Sequence, residues 1–153
     1  MVWERFQPVT AKKRRPPRRI ASARSGHAER EVMHLLKTFL IGAIGYPALE
    51  LLWRRRTHPS MALAGGMAML LIRRVSRLQA GLLPRSLLCG AGITAIEYVV
   101  GRAWNRTYRI WDYRRQPLNL HGQICLPYAA AWCGLSAIVL TVMDASRKER
   151  PDS

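Results

Sequence analysis

The chain has 153 residues, 49% of them hydrophobic, and a formal net charge of +16 from 25 Lys and Arg against 9 Asp and Glu. This length suits a single domain, and the charge alone would suggest a nucleic-acid partner, because basic surfaces release counterions from phosphate backbones. The basic residues nevertheless flank clustered apolar segments, as they do in membrane proteins. An all-α membrane protein in the lipid bilayer is therefore predicted, and nucleic acid is the less favoured partner.

Residues 1–33 are predicted to form a disordered basic N-terminal arm. They show no apolar periodicity, and their like charges repel one another. Because each Lys or Arg near an anionic lipid surface contributes about 1 kcal/mol, lipid is the favoured partner of the arm. The residues expected to face lipid are Lys12, Lys13, Arg14, Arg15, Arg18 and Arg19.

Four apolar segments follow the arm and are predicted to form a small bundle of transmembrane helices, because a helix needs about 20 residues to cross the hydrocarbon layer. Segment 59–72 is short, with 14 residues, and a buried or re-entrant helix suits it equally well. The integral membrane domain is predicted over residues 34–145, before a polar C-terminal tail at 146–153. The four segments are 35–53, 59–72, 86–101 and 124–143.

The basic residues also predict the orientation of the chain. Sixteen Lys and Arg lie in the arm, in the stretch 73–85 and in the C-terminal tail, whereas eight lie in the stretches 54–56 and 102–115. Since cytoplasmic loops are enriched in Lys and Arg, the chain is predicted to be a multi-pass protein of the cell membrane with both termini in the cytoplasm. This orientation requires segment 59–72 to cross the membrane.

Small residues recur within the apolar segments at spacings that make smooth helix faces, as at Gly42 and Gly45 or at Gly90 and Gly92. Helices in lipid approach one another closely at such faces. A compact bundle is predicted, and a homo-oligomer is one assembly that these faces would allow. Glycines of this kind are also common in membrane helices that have no such role.

Two carboxylates lie in apolar segments and are the first candidates for a ligand site or polar cavity. A charge at the bilayer centre costs about 2.5 to 3.5 kcal/mol, so Glu50 and Glu97 should be near an interface, paired, protonated or facing a polar cavity. Both lie near the ends predicted to be outside, where His58 follows the first segment. One site shared by these three residues is predicted. The alternative is that each carboxylate pairs with a neighbouring arginine.

Residues 97–126 join the last two segments and are dense in aromatic and polar side chains. An aromatic belt at the headgroup level would explain the Trp and Tyr residues. An Asp between two aromatics, followed by Asn and Gly, favours specific turns instead. The sequence therefore predicts a structured aromatic loop, with a framework of Trp111, Asp112, Tyr113, Asn119 and Gly122.

Several activities lack a motif in this sequence. The chain has no Gly-x-x-x-x-Gly-Lys-Ser/Thr loop, so it is not expected to hydrolyse ATP, and it has no recognisable nucleophile motif. Its three Cys include no Cys-x-x-Cys pair, and its four His are dispersed. The expectation is a protein that is not an enzyme and that has no metal site and no cofactor.

The loop also carries a resemblance to a known family. Together with Trp132, it resembles the signature of the type IV ABC-transporter permease family of bacterial multi-pass membrane proteins. The pairs Gly45-Tyr46 and Glu50-Leu51 look like the N-terminal half of that family. The loop residues that carry the resemblance are Glu97-Tyr98, Trp111-Asp112-Tyr113, Asn119 and Gly122-Gln123-Ile124-Cys125-Leu126.

This resemblance implies a permease-like component of a transport system, for a substrate that the sequence does not identify and with a separate ATPase subunit as partner. It carries no catalytic residue over to this chain. The alternative is a membrane scaffold or regulator whose basic arm binds anionic lipid or a cytoplasmic partner. Loss of function on deletion of residues 1–30, but not in Glu50→Gln or Glu97→Gln, would favour that alternative.

Overall fold

A computed structural model describes the backbone of residues 18–149 and the side chains of residues 26–149. The chain divides into two compact units, Met1–Met33 and His34–Ser153. The described residues form four α-helices and one antiparallel pair of short strands. In chain order these are α1 (Arg18–Arg54), α2 (Pro59–Val75), α3 (Leu82–Trp104), β1 (Asn119–Leu120), β2 (Ile124–Cys125) and α4 (Leu126–Lys148).

The first unit differs from the predicted disordered arm where it is described. Residues 18–33 are helical and form the start of α1. Their sequence is rich in Ala, Arg and Glu, which are strong helix formers. These helix propensities outweigh the repulsion between like charges. The first part of the predicted arm, with Lys12, Lys13, Arg14 and Arg15, lies outside the described residues, as do the side chains of Arg18 and Arg19.

The prediction of helices at all four apolar segments is confirmed. In the described part of the chain, three helices are long and apolar enough to cross a membrane: Gly26–Arg54 within α1, Leu82–Trp104 and Leu126–Lys148. Helix α2 has 17 residues. The last helix begins at Leu126 rather than at the predicted residue 124, because the two preceding residues pair with β1 instead of entering the helix.

Local sequence signals explain where the helices begin. His58 is the N-cap of α2: its Nδ1 accepts a hydrogen bond of 3.2 Å from the backbone N–H of Ser60, and Pro59 occupies the first turn. Pro84 and Pro127 likewise lie in the first turns of α3 and α4. The first four N–H groups of a helix have no partner within the helix, so a residue without N–H is tolerated there.

Helix α3 packs against both α2 and α4. Two groups of buried apolar residues fill these contacts. The first, which we call the loop-side core, consists of Met61, Ala64, Val100, Trp111, Tyr113 and Cys125. The second, which we call the basic-end core, consists of Ile72, Val75, Cys89, Ile93 and Leu140.

Helices α1 and α2 approach each other at two glycines. A Cβ atom added to Gly42 would overlap the backbone of Gly65, and one added to Gly65 would overlap the backbone of Gly42. The two helices therefore make backbone contact that a larger side chain would prevent, as expected for small residues in lipid. Gly45, three residues from Gly42, has open space where a Cβ would lie.

Charged contacts join the ends of α2, α3 and α4 near the basic-end core. Arg85 forms a two-point ion pair with Asp144, with N to O distances of 2.6 and 3.2 Å. Arg147 donates a hydrogen bond of 3.2 Å to the carbonyl of Ser76. The C-terminal end of α2 thus lies beside the start of α3 and the end of α4.

Candidate functional site

The carboxylate of Glu97 is the central polar group of the helical unit. Glu97 lies on α3 and is 6% exposed. The Tyr113 hydroxyl donates a hydrogen bond of 3.0 Å to its Oε1, and the Trp132 indole N–H donates one of 3.1 Å to its Oε2. Since a carboxylate offers about four acceptor positions, two of these positions stay open.

A cavity of about 390 Å³ lies against this carboxylate and is lined by residues of all four helices. Its walls are almost entirely apolar. Among the described residues that line it, Glu97 alone is charged, and Tyr46, Trp132 and Ser136 contribute the other polar side-chain groups. A space of this size falls in the range of ligand pockets in proteins, which is about 300 to 1,000 Å³.

Ser136 is the unusual member of this lining. It is 0% exposed, and its Oγ is enclosed without a hydrogen-bond partner among the described residues. A serine on a helix normally satisfies its hydroxyl by bonding to the carbonyl four residues earlier. A buried hydroxyl without a partner costs about 1 to 3 kcal/mol. Ser136 therefore leaves an unsatisfied polar group on an apolar wall.

Glu50 lies beside a second, smaller cavity of about 150 Å³. Its Oε1 forms an ion pair with Arg54, and its Oε2 accepts a hydrogen bond of 3.0 Å from the Thr57 hydroxyl. Tyr46, Leu49 and Trp132 line both cavities. The two glutamates therefore lie against neighbouring cavities and have different hydrogen-bond partners.

The predicted shared site is only partly assembled. Glu50 follows the alternative, since it pairs with a neighbouring arginine, whereas Glu97 is held by an indole and a phenol. His58 caps α2 and is not among the described residues that line either cavity. The cavity at Glu97 is therefore the candidate site, with Glu50 beside it.

The residues after α3 are held by two buried amides, Asn105 and Gln123. Asn105 is 0% exposed. Its Nδ2 donates to the carbonyl of Trp111 at 2.6 Å and to the Gln123 side chain at 3.2 Å, while its Oδ1 accepts from the N–H of Ile110 at 2.9 Å. Gln123 in turn donates to the backbone carbonyl of Asn105 at 3.1 Å. We call this group the amide pair.

Two aromatic residues connect the amide pair to the helices. The Trp111 indole donates a hydrogen bond of 2.8 Å to the carbonyl of Gln123. Tyr113 stacks on Tyr128 with ring centroids 4.5 Å apart and reaches Glu97 with its hydroxyl. Burial raises the pKa of the Tyr113 phenol, and the Glu97 carboxylate raises it further, so Tyr113 remains a hydrogen-bond donor.

Asn119 and Gly122 form the turn that precedes α4. The Asn119 side chain donates to two backbone carbonyls and accepts a hydrogen bond of 3.1 Å from the N–H of Gly122. Gly122 has φ +63° and His121 has φ +51°, both left-handed, as in a type I′ turn. Glycine adopts this conformation without steric cost, which explains its position here.

The aromatic residues divide into buried and exposed sets. Trp111 and Tyr113 are 4% and 8% exposed, whereas Trp53 and Trp104 are 85% and 53% exposed. The exposed pair matches the belt interpretation, in which rings lie at the headgroup level. The buried pair belongs to the loop-side core.

Asp112 differs from the other four predicted framework residues. Its carboxylate pairs only with Arg114 among the described residues, through contacts of 2.7 to 3.0 Å to the guanidinium and the backbone N–H, and the side chain is 38% exposed. These bonds join residues two positions apart at the surface. Asp112 therefore shapes one turn, and it does not connect the loop to the helices.

We expect Asp112 to titrate at low pH. The hydrogen bonds from Arg114 hold the pKa of Asp112 at about 2, below the ordinary 3.8. Because the pKa is lower in the folded state, the pair stabilises the loop above about pH 4, and this contribution is lost as the pH falls towards 2. Carboxyl NMR of labelled protein in micelles checks the midpoint.

Two matched variants, Arg114→Gln and Arg115→Gln, test which arginine lowers the pKa of Asp112. Arg114→Gln should return the midpoint of Asp112 towards 3.8, while Arg115→Gln should leave most of the shift, because Arg115 is the smallest of the causes that lower this pKa. A wild-type midpoint near 3.8 would show that the pair does not form.

Sequence reasoning did not assign a role to several residues that build this region. Asn105, Gln123 and Ser136 carry buried polar groups, and nothing in their local pattern distinguishes them from exposed amides and hydroxyls. Asn105 offers one signal, since it directly follows the last residue of α3. Trp132 is part of the family resemblance, but its contact with Glu97 depends on the packing of α3 against α4.

Comparison with known proteins identifies a family. The sequence profile of the family described as "Putative ABC-transporter type IV" matches residues 58–150, which include α2, α3, the loop and α4. No curated protein and no solved structure matches the chain.

Proposed function

The chain belongs to the family described as "Putative ABC-transporter type IV", and from this premise we propose that it is the permease-like component of a transport system. It is a transport-related membrane protein with three helices suited to crossing the membrane. A separate ATPase subunit supplies the energy, and this chain catalyses no reaction itself. The observation that carries the permease role is the cavity at Glu97, because a scaffold has no need of an apolar space around a buried carboxylate.

All four helices cross the membrane in this proposal, as a small bundle. Helix α2 meets the loop-side core through Met61 at one end and contacts Arg147 through Ser76 at the other, so it runs alongside α3 and α4. Its 17 residues are at the lower limit for a span, which is about 17 to 25 residues. The loop and the amide pair then form a folded external cap over the bundle.

The proposed orientation places both termini in the cytoplasm and the loop outside. Fusion of a reporter that is active only in the cytoplasm should give signal after residue 149 and none when inserted at Gln116, which is exposed in the loop. Equal signal at both positions would contradict the crossing of α4, and signal at Gln116 with none after residue 149 would contradict the proposed orientation.

Copurification tests the permease role. A C-terminally tagged chain, extracted in mild detergent, should carry an ATPase subunit in stoichiometric amount, identified by mass spectrometry. A chain that lacks residues 1–30 should retain that subunit, because the family match begins at residue 58. A purified protein that brings no ATPase subunit would overturn the proposal. Loss of the partner only on deletion of 1–30 would favour the scaffold alternative.

A further inference from the structure

We propose that the cavity at Glu97 binds an apolar molecule that carries one protonated amine. This inference rests on the proposed function, since it names the substrate class of the same site. It is argued from the charge of the lining, the apolar walls and the unsatisfied hydroxyl of Ser136.

Glu97 determines the charge of the ligand. The Trp132 indole can only donate, and it bonds to one carboxylate oxygen while Tyr113 bonds to the other. Two neutral donors do not compensate a buried carboxylate, which requires a cation or a further set of hydrogen bonds. Arg54, which lines the neighbouring cavity, is already paired with Glu50. A ligand ammonium group fits the two open acceptor positions.

The walls determine the remainder of the ligand. They are apolar apart from the groups named above, so they exclude a molecule with many hydroxyl or phosphate groups. Tyr46 and Trp132 meet edge to face with centroids 5.3 Å apart, and aromatic faces of this kind attract cations. Ile41 and Leu49 of the lining are 62% and 50% exposed, so the cavity reaches the surface that faces lipid.

Ser136 gives a second, independent indication of a ligand. It lies four residues after Trp132 on α4, which is one helical turn or about 6 Å along the axis. Its Oγ is fully buried and has no hydrogen-bond partner among the described residues, so a polar atom of a bound ligand would satisfy it.

The test uses three probes that have the same alkyl chain length and differ in the head group: dodecylamine, dodecanol and dodecanoate. Each competes with a photoreactive dodecylamine for labelling of the full-length protein in nanodiscs, at equal concentration in the bilayer. We expect the amine to compete at least about tenfold better than the alcohol, because hydrogen bonds to a charged group contribute about twice as much as neutral ones. Dodecanoate should compete least. Equal competition by amine and alcohol would overturn the proposal.

Two variants locate the effect. Glu97→Gln should abolish the preference for amine over alcohol while the alcohol still competes. Gly45→Leu should reduce labelling by the photoreactive dodecylamine, because Gly45 lines the cavity and has open space for a side chain. Gly134→Leu is the matched control: Gly134 also has open space but does not line the cavity. Glu149→Gln, at an exposed position, controls for loss of charge.

Each outcome bears on the proposal. If Glu97→Gln fails to accumulate in the membrane, the labelling of Gly45→Leu and the competition measured on the wild-type protein still test the proposal. An amine preference that persists in Glu97→Gln, or labelling lost equally in Gly134→Leu, would overturn it. If the protein prefers the amine but no ATPase subunit copurifies, this inference stands and the permease proposal is overturned. If an ATPase subunit copurifies but the amine is not preferred, the permease proposal stands and this inference is overturned.

Discussion

Replacing Asn105 with alanine should lower the free energy of unfolding by about 3 kcal/mol or more, because each buried polar group left without a partner costs about 1 to 3 kcal/mol. The change removes hydrogen bonds to the carbonyl of Trp111, to the N–H of Ile110 and to the Gln123 side chain. Asn105 is fully buried, so water cannot replace these bonds at the surface.

The measurement is the denaturation of purified protein in bicelles, together with the amount of protein that accumulates in the membrane. Asn119→Ala is the matched control, because Asn119 also bonds to backbone groups of the loop but lies exposed. Its effect should be no more than about 1 kcal/mol, the net value of an ordinary hydrogen bond. Similar losses for both variants would show that the amide pair does not hold the loop.

Replacing Gly42 with leucine should destabilise the protein by about 3 kcal/mol, the upper part of the range for overpacking. The added side chain meets the backbone of Gly65, which cannot move aside without shifting α2. We expect α1 to separate from α2, with loss of the walls that α1 contributes to the cavity. Both the free energy of unfolding and the amine labelling should therefore fall.

Gly45→Leu separates these two effects. It is the same substitution three residues away, at a position with open space for the side chain. It should leave the free energy of unfolding nearly unchanged while it reduces labelling, because the leucine occupies the cavity. Equal destabilisation by the two variants would contradict the backbone contact between Gly42 and Gly65.

The helices were predictable because hydrophobic segments and their flanking charges are local features of the sequence. The family resemblance was also confirmed, over a match to residues 58–150. The small-residue pattern was informative without being specific: it pointed equally to Gly42 and Gly45, and only Gly42 contacts another helix. Which glycine faces a neighbour depends on helix rotation, which the apolar pattern of a membrane helix does not determine.

The loop shows why its important residues were harder to identify. Asp112 and Asn105 are both short polar residues beside a tryptophan, but Asp112 pairs at the surface with Arg114 while Asn105 is buried against Gln123. The contact of Asn105 joins positions eighteen residues apart, so no local spacing predicts it. The ion pair of Glu50 was easier to predict, because its partner Arg54 lies four residues later on the same helix.

Tyr113 connects the turn at Gly122 to the cavity at Glu97. Its backbone N–H bonds to the carbonyl of Gly122 in the turn, while its hydroxyl bonds to Glu97 at the cavity. The cavity and the turn therefore both contact one residue, Tyr113. On the proposal that the cavity binds a ligand, thermodynamic reciprocity requires that a molecule which binds and stabilises the turn alters the ligand's affinity by the same factor as the ligand alters the affinity of that molecule.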